Sequence, residues 1–486
     1  MAGPIFILQM KTSFHSRPSV WCFTTYFTEG FPFGIVRMMS SVFFTDIGMR
    51  ERYLGYLNAL GLPWNAKFLW APLVDIFGGK RRWMQSIQVI ITLFSALIAA
   101  LCFAAGGIQN AIEIPNTVFV LLFVATAFIA ATNDIVIDGY YMDGLTDPGS
   151  QAAYTGYRVF AYRLALVAAK FGVIYTVGIL TKNAAAGALY GAWGWGFLAA
   201  AVIMGLFTVF HLFALPRFDS PQKGGATAGK AIDDFLASFA SYLEISRDKS
   251  VFALTTGIAS AVLTFIVLVA CKIDAIPAMN FGILALLAVM AIQAKPAVAV
   301  SLLFIIFYKI GDEIIFSMGT PFLKRYLLVS NIQLAWMSGL LGLLGSIAGT
   351  SAGGIWIKKT GLKKAIWPLT LLMNINILAY VWLAWHRPLA TTFSGMLTIG
   401  SVYCYEQIAA GLGNAVLIVY ILQTCKKEFK AGHYAIGSAF MSVFSTIFGT
   451  FSGIIVERAG YVNLFLLGFL ATIPAMALMR FVKIRE

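Results

Sequence analysis

The chain has 486 residues, 59% of them apolar and only 12% charged, with a net charge of +14. Soluble domains carry about 25% charged residues, so this composition excludes an ordinary soluble enzyme and marks a polytopic membrane protein; the mean hydropathy is +0.82. The basic excess sits beside apolar runs rather than in a domain of its own, which points to topology in a lipid bilayer and not to nucleic acid.

A helix crosses the hydrocarbon with ~20 apolar residues. Taken in order, the apolar runs are 18–45, 53–75, 84–106, 116–142, 152–180 and 190–215, a polar stretch 216–250, then 251–271 and 276–293, and finally 297–328, 331–357, 366–386, 390–424, 433–456 and 461–482. That is about fourteen spans, an even number, which puts both termini on one side. Lys80, Arg81 and Arg82, the group from Lys358 to Lys364, and Lys426, Lys427 and Lys430 all fall on that side. Positive loops stay inside, so both termini are expected in the cytoplasm. Within the polar stretch, Ala231–Ile245 reads as an interfacial helix. The preceding Gly224-Gly225-Ala226-Thr227-Ala228-Gly229-Lys230-Ala231 imitates a phosphate loop but lacks its Ser or Thr and its strand.

Charges in the bilayer cost at least ~2.5–3.5 kcal/mol each, so those present must face one another or a wet cavity. The fourth run ends in Asp134, Asp138 and Asp143, and the fifth carries Arg158, Arg163 and Lys170. Counting outward from the turn near Asp147 places Asp138 level with Arg158 and Asp134 level with Arg163, which predicts two ion pairs. At 1.5 Å per residue, Glu29, Lys67, Lys309, Asp312 and Glu406 all lie near the midplane. Glu29, Glu406 and Asp312 are the candidates for proton coupling; Lys309, three residues from Asp312, is placed to keep that acid ionised. Arg37, Lys67, Asp134, Arg163, Lys170, Lys309 and Glu313 are candidates for a substrate cavity. Asp75, Lys80, Arg81, Arg82, Asp138, Asp143 and Arg158 gather near the inner face and read as a cytoplasmic latch. Four histidines and five cysteines show no metal-ligand or disulfide spacing, and no nucleophile has a positioned base. No cofactor, metal or catalytic residue is expected.

The halves echo each other. Gly78-Gly79-Lys80-Arg81-Arg82 returns about 280 residues later as Thr360-Gly361-Leu362-Lys363-Lys364, Glu29 has a counterpart in Asp312, and Asp134 corresponds in place to Glu406. The expected organisation is all-α: a six-helix half 1–215, a cytoplasmic linker 216–250, an extra transmembrane hairpin 251–295 and a second six-helix half 296–486. This layout resembles the major facilitator superfamily. The hairpin carries no embedded charge and reads as a peripheral, lipid-facing pair.

Lys67-Phe68-Leu69-Trp70-Ala71-Pro72-Leu73-Val74-Asp75 and Asn133-Asp134-Ile135-Val136-Ile137-Asp138 resemble signatures of the peptide and acetyl-coenzyme-A transporter family, as do Gly156-Tyr157-Arg158 and Tyr308-Lys309-Ile310-Gly311-Asp312. The second half, especially 406–422 and 432–456, is most similar to the AmpG-type muropeptide permeases. The resemblance implies a monomeric, proton-driven importer of anhydro-muropeptides in a bacterial inner membrane, serving peptidoglycan recycling. The other branch of the family implies a carrier of acetyl-coenzyme A or another organic anion. Thr28-Glu29-Gly30-Phe31-Pro32 departs from the permease pattern by placing an acid where a neutral residue is expected. A transporter-like sensor or a membrane-embedded enzyme is the remaining class; the first lacks an output domain and the second a nucleophile.

Overall fold

The computed structural model describes residues 17–67, 70–71, 74, 79–106, 113–182, 188–218, 228–426, 430–482 and 484. Asp75 of the expected latch and residues 224–227 of the phosphate-loop imitation lie outside the described residues. Among those described, the chain is helical and contains no strand. In hydrocarbon every backbone N–H and C=O must be satisfied within the protein, and a helix does this segment by segment.

The first half comprises α1 (18–46), α2 (51–66), α3 (Lys80–Ala105), α4 (Asn116–Gly144), α5 (148–181) and α6 (Leu189–Ala214). A linker helix, α7 (Ala228–Leu243), leads to the extra hairpin α8 (Arg247–Ala270) and α9 (Ala275–Gln293). The second half holds α10 (296–326), α11 (331–360), α12 (Leu362–His386), α13 (Phe393–Thr424), α14 (430–459) and α15 (461–478), the last two divided by Gly460. Among the described residues, ten helical runs are long and apolar enough to cross a membrane. Side chains cap the exposed ends: Asp147 accepts from the Ser150 amide at the start of α5, Ser246 caps α8, and Ser330 with Gln333 forms a capping box on α11.

Trp21, Tyr140 and Phe218 pack together in edge-on and tilted contacts at one end of the bundle, here called the linker end. At the other, far end, the two halves are clasped. Asp46 at the tip of α1 forms a buried ion pair with Lys324 of α10 and accepts hydrogen bonds from Asn331 (2.9 Å) and Trp193 (3.0 Å). Arg325 reaches back to donate to the carbonyls of Thr45 and Met49 and to Glu51. Arg52 on α2 meets Glu457 on α14 at 3.2 Å.

Between helices in lipid there is no hydrophobic drive, so close approach depends on small residues. α2 and α14 cross at Gly55 and Gly453. A Cβ on Gly453 would stand 2.0 Å from the Glu51 carbonyl oxygen, a backbone atom that cannot swing aside. α5 and α11 meet likewise, with Phe171 packed on Trp336 at 4.9 Å. The far end is therefore shut by two helix crossings and a cluster of charges. Gly453→Ala is expected to push α2 away from α14. In a cysteine-free background, a cysteine at Thr320 on the inner wall should then react several-fold faster with a membrane-impermeant thiol reagent added from the far side. Unchanged labelling would show that this crossing does not hold the end closed.

Candidate functional site

Between the halves lies a cavity of 360 Å³, within the usual range of small-molecule sites. Its first-half wall carries Arg37, Arg163 and Lys170, and its second-half wall Lys309, Asp312, Glu313 and Glu406 together with Phe316, Tyr380 and Tyr403. The local backbone explains how several of these charges are placed. Arg37 and Lys170 each sit in a single widened π turn, 35–39 in α1 and 168–173 in α5. Such turns interrupt an α-helix mostly at functional positions. Lys309 occupies a break in α10 (φ −97°, ψ −3°), between Pro296–Tyr308 and Ile310–Pro321.

Lys309 is buried and doubly hydrogen-bonded: its Nζ donates to Asp312 at 2.6 Å and to the Asn414 side-chain oxygen on α13 at 2.8 Å. The expected Lys309–Asp312 neighbourhood is thus an ion pair. Arg37 donates to the Asn58 carbonyl at 2.9 Å and lies over the Phe316 ring of the other half, 5.5 Å from its centroid. Asn58 in turn donates to Ser317 at 2.8 Å, and Ser317 to the Gly449 carbonyl at 2.7 Å. This chain of bonds forms the cavity floor toward the clasped end. Glu406 is buried at the cavity edge, where it accepts a 2.6 Å hydrogen bond from Gln407. Among the described residues neither Glu406 nor Arg163 forms an ion pair.

The structure changes the expected pairings in the first half. Asp134 is not bonded to Arg163; it pairs with Lys67 of α2. Matching depth was the basis for the Arg163 assignment, and depth fixes only one coordinate. α1 lies between α4 and α5, packing against both, so the two helices do not face each other through the membrane. They converge only near their turn, where Asp138 and Arg158 do pair at 2.8 Å. Tyr26 of α1 donates to Asp138 at 2.8 Å, and the Arg158 guanidinium lies over both Tyr26 and Tyr141, 4.3 and 4.4 Å from their centroids. Lys67 and Asp134 are absent from the cavity lining.

Glu29 also lies off the cavity, within the first half. Its Oε2 is buried without a hydrogen-bond partner among the described residues, and its charged neighbours are Asp138, Lys67 and Arg158. Among the described residues, most of the latch is likewise engaged inside its own half. Lys80 meets Asp143 at 3.1 Å, Arg81 donates to the carbonyls of Leu215 and Leu212, and Arg82 is exposed. None of the bonds just described bridges to the second half.

Sequence reasoning missed the clasp of Asp46, Lys324, Arg325 and Asn331. The places of Asp46 at the tip of α1 and of Lys324 and Arg325 at the tip of α10, equivalent helices of the two halves, were the available signal. It also missed Asn414, Tyr380 and Gln407, neutral residues whose role depends on what stands opposite.

This arrangement of two six-helix halves around a charged central cavity, with an added hairpin, is the major facilitator fold of membrane transporters. The structure of a D-xylose–proton symporter matches with a TM-score of 0.57 at 13% identity, covering 96% of this chain and 97% of that one. An autoinhibited POT family peptide transporter matches with a TM-score of 0.60 at 13% identity, covering 96% and 98%. Within that class, curated relatives span nearly the whole chain and include AmpG-type permeases. The anhydromuropeptide permease of Escherichia coli is 24% identical over 464 residues, 93% of this chain and 77% of the permease. A putative transporter AmpG 4 of Rickettsia felis is 23% identical over 457 residues (94% of each), and an uncharacterized protein of Haemophilus influenzae is 26% identical over 483 residues (96% and 95%). No protein-family model matches the chain.

The Lys67–Asp134 pair gives a direct test of the revised pairing. Removing one partner of this part-buried pair strands the charge of the other inside the helical bundle. Lys67→Met and Asp134→Asn are each expected to lower the yield of folded protein sharply, and the double variant to recover much of it. Strictly additive losses would contradict the pair.

Proposed function

We propose that this chain is a proton-coupled secondary transporter that imports anhydro-muropeptides across a bacterial inner membrane by alternating access, with both termini in the cytoplasm. The observation that carries the reading is the division of charge in the cavity. Three bases, Arg37, Arg163 and Lys170, stand on the first-half wall, and three acids, Asp312, Glu313 and Glu406, on the second, with Lys309 beside them. Such a site favours a ligand bearing both carboxylates and an ammonium group, as peptides do. Phe316, Tyr380 and Tyr403 add apolar faces on which sugar rings can stack. The anhydromuropeptide permease among the relatives supports the same substrate class.

The alternative, a carrier of acetyl-coenzyme A or a similar organic anion, would draw on the basic wall, since phosphates bind best to several donors of fixed positive charge. The acids opposite weigh against it, because a polyanion would be held between attraction and repulsion. With the far end clasped, the linker end is the route to the cavity in this reading, and the charges from Lys80 to Arg158 engage the second half when that end closes.

Glu406 is the leading proton carrier. It lines the cavity and is buried, its only described hydrogen bond comes from a neutral amide, and Lys170 stands across from it. Asp312 is committed to Lys309, and Glu29 lies away from the cavity. In proteoliposomes, Glu406→Gln is expected to abolish accumulation of labelled anhydro-muropeptide driven by a pH gradient while leaving exchange at equal pH. Lys170→Ala should raise the half-saturating concentration roughly tenfold or more, the loss of a charge-assisted hydrogen bond. Excess coenzyme A should not compete. No uptake of the muropeptide with or without a gradient would overturn the reading, and competition by coenzyme A would favour the anion carrier.

A further inference from the structure

The hairpin α8–α9 supplies none of the cavity-lining residues, and along α8 its apolar side chains are exposed. Val251, Phe252, Ile258, Val262, Leu263 and Ile266 are exposed on a helix suited to lipid. Its tip is different. α8 ends at Cys271, Lys272 takes a left-handed conformation (φ 62°), and the reversal delivers Asp274 to the N-cap of α9. An Asp at an N-cap ordinarily accepts a hydrogen bond from an amide of its own first turn. Asp274 makes no such bond. Its carboxylate turns outward to the first half, where it accepts a 2.6 Å hydrogen bond from Tyr56 and stands 3.9 Å from Arg52, both on α2.

The remainder of the insertion is fastened to the second half. Phe281 of α9 packs on Phe451 of α14 at 5.1 Å, and α9 runs through Lys295 directly into α10. At the linker end, Lys295 pairs with Glu244 at 3.3 Å and its amide donates to the Leu243 carbonyl. Lys426 donates to the Ser241 carbonyl at 2.9 Å, and Tyr242 meets His433 edge-on at 5.3 Å. Among the contacts described here, the insertion is attached to one half along its length and to the other through the Asp274 carboxylate. Tyr56, the residue it holds, is next to Gly55 at the α2–α14 crossing and is itself buried.

We propose that the α8–α9 hairpin is a strap across the two halves: carried by the second half, it grips α2 through Asp274 and biases the protein toward the state closed at the far end. The proposal rests on the alternating-access reading. For the far end to open, α2 must leave α14, and because the hairpin travels with α14, the Asp274 contacts must break. An interaction made in only one of two states shifts their ratio by its own free energy. The strap therefore sets how often the far end opens without contributing a group to the cavity.

The test measures the far-end gap by pulsed electron–electron distance spectroscopy, with spin labels on Arg50→Cys and Thr391→Cys in an otherwise cysteine-free chain in lipid nanodiscs. The parent should show mainly the short distance. Asp274→Ala should raise the ratio of wide to short populations by roughly threefold to tenfold, the bond being charge-assisted but half exposed. Tyr56→Phe, which keeps the ring and removes only the hydroxyl, should move it the same way and carries the test alone if the first variant does not fold. An unchanged ratio in the folded variants, or a parent already mainly wide, would overturn the strap. The distances require no substrate. A protein that shifts as expected yet moves no muropeptide refutes the substrate assignment and leaves the strap standing.

Discussion

The structure is governed by one constraint: a charge inside hydrocarbon must have company. Insertion costs of a few kcal/mol per charge are comparable to the net stability of many proteins, so no embedded charge is placed casually. Three solutions are visible. Lys67–Asp134 and Arg158–Asp138 neutralise charge inside the first half. Lys324–Asp46 and Arg325–Glu51 do so across the two halves at the far end. Arg37, Arg163, Lys170, Lys309, Asp312, Glu313 and Glu406 face a cavity, where water or a ligand can complete them, while Glu29 lies off it beside Lys67, Asp138 and Arg158.

These solutions are mechanically linked. α1 and α10 supply both the cavity walls and the far-end clasp, one near the middle of each helix and the other at its tip. Arg37 lines the cavity yet donates to Asn58, which bonds Ser317 and through it Gly449. A ligand that draws Arg37 toward itself pulls on a residue that helps keep the far end closed. On the proposed alternating-access reading, binding and gating share hydrogen bonds in this region, which is the physical requirement for a ligand to favour one access state over the other.

Much of the fold was legible because the bilayer imposes a simple rule on composition. Apolar runs of fixed length gave the spans, and the recurrence of short basic loops gave the two halves. The embedded charges were equally visible, since each interrupts an apolar run. What the sequence could not supply was azimuth. Asp134 and Arg163 share a depth, but α1 separates their helices, and nothing in the order of residues says so. The same limit hid Asn414 and Gln407, neutral side chains that matter only through Lys309 and Glu406. The hairpin tip was opaque for another reason: Asp274 looks like an ordinary helix cap until its carboxylate is seen turned away from its own helix.

The widened turns at 35–39 and 168–173 have a consequence for how these helices are built. A π turn holds about one residue more than the α-helical turn it replaces, and each α-helical residue advances the helix by about 100°. The stripe of residues before such a turn is thus displaced around the axis after it. In α1 this lets one helix show two different faces: one below residue 35 that packs on α5 through Gly30 and Gly34, and one beyond it that brings Arg37 to the cavity. Loss of a single residue from either turn would restore a regular helix and rotate everything on one side of it by about a quarter turn. The fold, as distinct from the cavity's chemistry, should therefore tolerate substitution in these two segments far better than a change in their length.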